Sequence, residues 1–489
     1  MSSNAFSRRQ ALIGGAAVTA AAASVTTKTA AEAATPTAPA TGTRSEVLKE
    51  WRNPQMVAHL RQAPKLINVE RAYKVMDKYG LDGLVAAVPH NIYYLSSHMG
   101  PMQMMGRGFS TYAFFPRRPD AAPALIVPGS MVYHLDYRPT WMPIQVYTYA
   151  KQVAVAEQNT MVGGGNAKAA GAYADPIPSP WALNVRRDGV QDRDRLLMAI
   201  YAEFEGDTSV SALAGLGKAI KAAGLTRGKI GFDDPRVGGW LQQEGLKDIK
   251  VNDATNAIRE IRMVKTPAEV DIIRLAAQKN EDALLYAINN TSVGQQLDDI
   301  EFAHGKRWGE LGGSTLWCIT NQRGVASGVI APNTVTKVDS VGQYKAYRGD
   351  VGRTVVWGTA PDEVMRRNEA NTKALRIVYD AIHPGMTFAE SSKIMRDVMQ
   401  QAGFDRGGGG AHPVGLEHTD QPWPTGAELS PDEIYTNLVY EENMVFTMDV
   451  PYHEVGYGTS HVEDMMLVKK TKGCEGLSSM DTSLIIRPA

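Results

Sequence analysis

The chain has 489 residues, with 51 Lys and Arg against 52 Asp and Glu and a formal net charge of −1 at pH 7. So even a balance gives no electrostatic case for nucleic acid or an anionic membrane as partner. Hydrophobic residues make up an ordinary 44%, and the length leaves room for two or three domains around a large core.

The first element is a leader. Ser7-Arg8-Arg9-Gln10-Ala11-Leu12 precedes a weakly hydrophobic, Ala- and Gly-rich run from Ile13 to Val25, which is the form of a twin-arginine export signal. Ala31-Glu32-Ala33 supplies small residues for cleavage, so residues 1–33 are expected to be a signal peptide and the mature protein periplasmic or secreted. Residues 34–62 follow as a tether, Pro-, Thr- and Ala-rich from Ala34 to Gly42, ending in an expected amphipathic lead-in helix from Ser45 to Gln62. Once the leader is gone, no apolar run is long enough to stay in a bilayer, and no membrane partner is expected. The two cysteines, Cys318 and Cys474, allow a disulfide in an oxidising compartment, but in so long a chain they read more readily as isolated thiols.

Residues 63–255 read as an α/β domain. Strand-like runs such as Gly83-Leu-Val-Ala-Ala-Val, Ala113-Phe-Phe and Ala124-Leu-Ile-Val alternate with helical ones, including Ser211 to Ala223. Gly163-Gly-Gly-Asn-Ala-Lys lacks the Lys-Thr or Lys-Ser of a phosphate loop and reads as a surface loop. Asn252 to Arg262 bridges to a second domain, residues 256–489, opening with a helix after Thr266-Pro267 that is apolar at Ile272, Ile273, Leu275, Ala276 and Ala283.

That second domain carries the chemistry. Asp339, Asp350, His412, Asp449 and Glu463 offer four carboxylates and one imidazole, a shell suited to Mn²⁺, Fe²⁺, Co²⁺ or Zn²⁺ and large enough for one or two ions. Four of the five lie in strand-like runs, at 338–344, 349–357, 444–450 and 461–468, and rigid strands fix ligand directions well. His412 follows Gly407-Gly-Gly-Gly-Ala, where glycine lets the backbone pass close to a site, as a plain flexible loop would also require. Any one such acid is unremarkable alone; their order and context are not.

The stretch Asp339-Ser-Val-Gly-Gln-Tyr344-Lys-Ala-Tyr347-Arg-Gly-Asp350-Val-Gly-Arg353-Thr354 is similar to the first ligand pair of the creatinase, prolidase and aminopeptidase P family. His412-Pro-Val-Gly415-Leu-Glu417-His418, Asn443-Met-Val-Phe-Thr447-Met-Asp449-Val-Pro451 and His461-Val-Glu463-Asp464 resemble its later ligand segments. The N-terminal half, with Asn91-Ile-Tyr-Tyr94-Leu95 in place of the family's turn, and the entry Ile258-Arg259 to Glu269 resemble the family too. The resemblance implies a creatinase-like N-terminal α/β domain followed by a C-terminal pita-bread catalytic domain, an α/β (α+β) chain overall. It also implies the five residues as metal ligands and a homodimer.

Three departures bear on the reaction. The family's peptidases carry a catalytic His upstream of the first Asp, but Thr320 to Pro332 contains none, leaving Gln322 or Arg323 to polarise a carbonyl or to be plain loop residues. Asp449 stands where the family has Glu, which shortens the reach by a methylene and favours compensation by the backbone or a single ion. His461 replaces an Arg; with His418 and His453 it borders the inferred site, so the missing imidazole is relocated or all three are structural. The expectation is a metal-dependent hydrolase of a small molecule or short peptide, acting on an amide or other C–N bond, with Glu417 or Glu463 relaying protons, a cation or a His stabilising the oxyanion, and His418 and His461 as the candidate histidines. The alternative is a lyase of the same fold, similar to dimethylsulfoniopropionate lyases, with an acidic residue as base; a binding protein on the same scaffold is third.

Overall fold

The computed structural model describes residues 48–106, 108–147, 185–204, 208–405, 407–423 and 438–489. The leader, residues 34–47 of the tether and the glycine run at 163–165 lie outside the described residues. Two sheets organise the rest. The first orders its strands β5-β4-β3-β2-β1-β6-β7, with β1 Gly83–Ala86, β2 Tyr112–Pro116, β3 Ala124–Pro128, β4 Ile144–Tyr147, β5 Thr208–Ser209, β6 Lys229–Phe232 and β7 Lys250–Asp253. β1 and β3 flank β2 antiparallel, while every outer pair is parallel, the mixed pattern of an α/β layer.

Local chemistry accounts for the helices around it. Val69–Tyr79 begins where the Asn68 side chain accepts from the Arg71 amide and ends at Gly80 in the left-handed region. The expected lead-in helix is broken: Pro54 opens a separate turn, Pro54–Val57, capped by Asn53 and continued as a 3₁₀ turn, Ala58–Arg61. The Asn91-to-Leu95 segment, expected as a turn, is helical over Pro89–Ser96, because Pro89 at the first position fits a helix start.

The second sheet runs β11-β12-β13-β10-β9-β8, with β8 Ser314–Gln322, β9 Val335–Tyr344, β10 Tyr347–Trp357, β11 Gly410–Pro413, β12 Val445–Glu454 and β13 Gly458–Val468. Its neighbours pair antiparallel. Two short strands, β14 Cys474–Gly476 and β15 Ile485–Arg487, pair with β13 and β10. The helix Pro267–Asn289, opened by a Thr266–Glu269 capping box, lies across β9 and β10, and Asp362–Ala381 lies across β12 and β13.

Side chains alternate across a strand, so this packing selects one face. Val338, Val351 and Val355 bury against Leu284, Ala287 and Ile288, while Phe446, Met448, Val450, Val462 and Met466 bury against Ala374, Leu375 and Val378. Their strand neighbours Asp339, Asp350, Asp449 and Glu463 thereby take the opposite face. Cys318 and Cys474 are both free and buried.

Candidate metal centre

The register of three central strands brings the acids together. Gly352 on β10 sits between Asp339 on β9 and Glu463 on β13, and Glu463 faces Asp449 on β12. A Cβ at Gly352 would run into the ring of His461 and stand 3.1 Å from the Glu463 Cβ, so only glycine leaves the acids and the imidazole this close. At the sheet edge β11 pairs His412 with Thr447, and a Cβ on Gly409 would strike the Asp449 carbonyl; glycine serves here as a close approach.

Among the described residues, three sets of potential ligand atoms lie within 4.8 Å of one another: Asp350, His412 and His418; Asp339, His461 and Glu463; and His412, Asp449 and Glu463. The His412 Nε2 is 3.5 Å from Asp449, 3.9 Å from Asp350 and 4.0 Å from Glu463. His418 Nε2 is 3.1 Å from Asp350, and His461 Nε2 is 2.8 Å from Asp449 and 3.5 Å from Glu463. All eight residues proposed from sequence therefore converge except one, Glu417.

Burial makes the carboxylates costly. Asp350 and Glu463 are each 1% exposed, and Asp350 Oδ1 and Glu463 Oε2 have no hydrogen-bond partner. Burial pushes Glu463 well above the usual carboxylate range, and Asp350, Asp449 and Asp339 push it further; burial raises Asp350 as well. Burial also acts to raise Asp449, but hydrogen bonds from His412 and His461 hold it well below that range. Burial alone would lower His412, yet Asp449 and Asp350 raise it. Orphaned, crowded anions of this kind fit a bound divalent cation.

One member of the face escaped sequence reasoning. Lys337, two residues before Asp339 and so on the same side of β9, places Nζ 3.0 Å from Asp339 Oδ2. Burial acts to lower its pKa, but Asp339, Asp449 and Glu463 raise it, so it stands as an ammonium beside the acids. The period-two spacing from Asp339 was the signal that could have found it.

Glu417 is the correction. Its carboxylate lies at the seam between the halves, paired with Arg259 at 2.8 Å and with Arg262, and 3.9 Å from His90. Burial alone would push Glu417 up, but the guanidiniums of Arg259 and Arg262 bring it down to about 2. A carboxylate held ionised by two arginines is no proton relay near neutrality. Gln322 is likewise committed: it donates to Thr336 Oγ1 at 2.8 Å and accepts from the Ala331 amide at 2.9 Å, closing its own loop. His453 bonds Thr459 Oγ1 at 2.7 Å beneath Gly324. Among the nearby aromatics, Trp317 stands edge-on to His418, whereas Trp357 and Tyr347 are core residues bonded to the Thr291 carbonyl and to Glu269.

Comparison with known proteins adds family to geometry. Residues 271–470 match the sequence model of metallopeptidase family M24. The Xaa-Pro dipeptidase of Pyrococcus furiosus is 24% identical over 264 residues, which cover 51% of this chain and 72% of that protein. Among solved structures, the Xaa-Pro dipeptidase from Bacillus anthracis superposes with a TM-score of 0.60 at 17% identity, covering 86% of this chain and 98% of that one. The prolidase from Pyrococcus horikoshii OT3 gives 0.56 at 19%, covering 84% and 98%. These likenesses establish the two-domain pita-bread fold.

Proposed function

We propose that this metallohydrolase, whose residues 271–470 match the model of metallopeptidase family M24, cleaves an amide or related C–N bond, with Xaa-Pro dipeptides as its leading substrate class. The observation that carries the reading is the convergence of Asp339, Asp350, His412, Asp449 and Glu463 on one face, with buried carboxylate oxygens lacking partners. We assign these five to one or two divalent ions, drawn from Mn, Fe, Co and Zn. Such an ion would lower the cost of deprotonating water and polarise the substrate carbonyl.

This chain's own side chains supply the rest. His418 lies between Asp350 and Trp317 with 35% of its side chain exposed, so it is the least buried imidazole of the cluster. In our reading it takes the place of the histidine absent from 320–332, donating a hydrogen bond to the developing oxyanion. His461, fully buried, orients Asp449 through the 2.8 Å contact. Glu463, buried as fully as Asp350 and held well above the usual carboxylate range by burial and its acidic neighbours, is the carboxylate best placed to hold a proton.

Export by the twin-arginine route and a homodimer belong to the same proposal. Folded export suits an enzyme that acquires its ion before leaving the cytoplasm. The functional test is direct: apoprotein reloaded with each metal is offered Xaa-Pro dipeptides, N-acyl and guanidino compounds, and dimethylsulfoniopropionate. Release of free proline is the expected result. Elimination from dimethylsulfoniopropionate with no dipeptide cleavage would replace hydrolysis by the lyase reading.

A further inference from the structure

We propose that the Lys337 ammonium occupies one of the two cation positions of this face, so that the site takes a single divalent ion, seated at the His412 end. The inference rests on the metal reading above and goes beyond it, since a shell of four carboxylates and an imidazole has the donors for two.

The placement follows from the strands. Residues 337 and 339 share a face of β9, and Nζ reaches Asp339 Oδ2 at 3.0 Å with the Lys337 side chain 19% exposed. Two of the three ligand sets share His412: one with Asp350 and His418, the other with Asp449 and Glu463. The third needs Asp339, already paired with Lys337, and His461, whose Nε2 already contacts Asp449 at 2.8 Å. The Asp339 end is thus furnished with an ammonium and an imidazole, and the His412 end with Asp350, whose Oδ1 lacks a partner. Paired ions in two-metal sites sit roughly 3.5–4 Å apart. An ammonium at Asp339 fills that second place with a charge of the same sign.

The test counts ions. The full chain is stripped with chelator, equilibrated with Mn²⁺, and analysed for metal per chain and by electron paramagnetic resonance, beside Lys337→Met, Lys337→Arg and Asp449→Glu. Wild type is expected to bind about one ion with the spectrum of an isolated Mn²⁺, and Lys337→Met about two with spin coupling between them. Lys337→Arg, which keeps the charge, stays at about one, as does Asp449→Glu. About two coupled ions in wild type, about one in Lys337→Met, or about two in Asp449→Glu would each overturn the assignment while leaving the metalloenzyme reading standing. Metal bound by none of the four would instead overturn the metal centre, and this inference with it.

Discussion

His418 carries the substrate-facing part of the proposal, 3.1 Å from Asp350 and 4.8 Å, centroid to centroid, from Trp317. If it serves the developing oxyanion, His418→Ala should lower kcat by about 10²–10³ while bound metal stays at the wild-type level. Steady-state kinetics paired with metal analysis checks this; loss of the ion together with activity would make His418 a ligand instead. At this scale the convergence of the candidate ligands was legible because each sits in a recognisable run, at family order and spacing, on a strand whose other face is apolar. Glu417 was misread because its neighbours in sequence, Leu416 and His418, belong to a site motif, while its partners Arg259 and Arg262 lie more than 150 positions away. Lys337 was passed over because a lysine in a strand ordinarily marks a solvated face.

Among elements, the seam between helix Thr255–Met263 and the segment after β11 is the unusual one. Arg262, Lys265 and Asp420 are each almost fully buried, with Arg262 2.6 Å and Lys265 3.3 Å from Asp420. Arg262 also reaches Asn91 of the N-terminal sheet's helix Pro89–Ser96, so the charges tie both halves to the backbone that carries His412 and His418. The Asp420 amide donates to the Pro413 carbonyl, and Arg348 donates from its amide to the Gly415 carbonyl, which fixes that segment against the sheet. Glu417 gives the seam a pH signature. Its folded pKa, about 2, is below the ordinary value of 4.5, so its contribution is fully present above pH 4.5 and lost as pH falls through 2. Glu417→Gln should therefore cost about 2–3 kcal/mol near neutrality and progressively less towards pH 2. Denaturation of both proteins across that range tests it; a constant gap at every pH would refute it. Sequence reading saw this bridge as a domain entry and missed its charges, because buried pairing between segments so distant leaves no local pattern.

For the whole molecule, the alternation of strands and helices and the ordered ligand segments were enough to anticipate an α/β N-terminal domain and a pita-bread domain. What stayed hidden was set by contacts across the fold: the break at Pro54, the helix at Pro89–Ser96, and the partition of the aromatics between core and site. The leader makes a claim of its own at this scale. Arg8→Lys with Arg9→Lys should retain the protein in the cytoplasm, whereas wild type appears in the periplasm or medium; fractionation and immunoblotting read the outcome, and equal distribution of the two would remove export from the account. The central claim is that the C-terminal sheet gathers its acids to hold a catalytic divalent ion. Equilibrium binding of Mn²⁺ or Zn²⁺ to chelator-treated wild type and Asp350→Asn measures this most directly. The account predicts at least about one ion per wild-type chain and an affinity lower by about 100-fold in the variant. A wild-type chain that binds no ion, or a variant that binds as tightly, would contradict it.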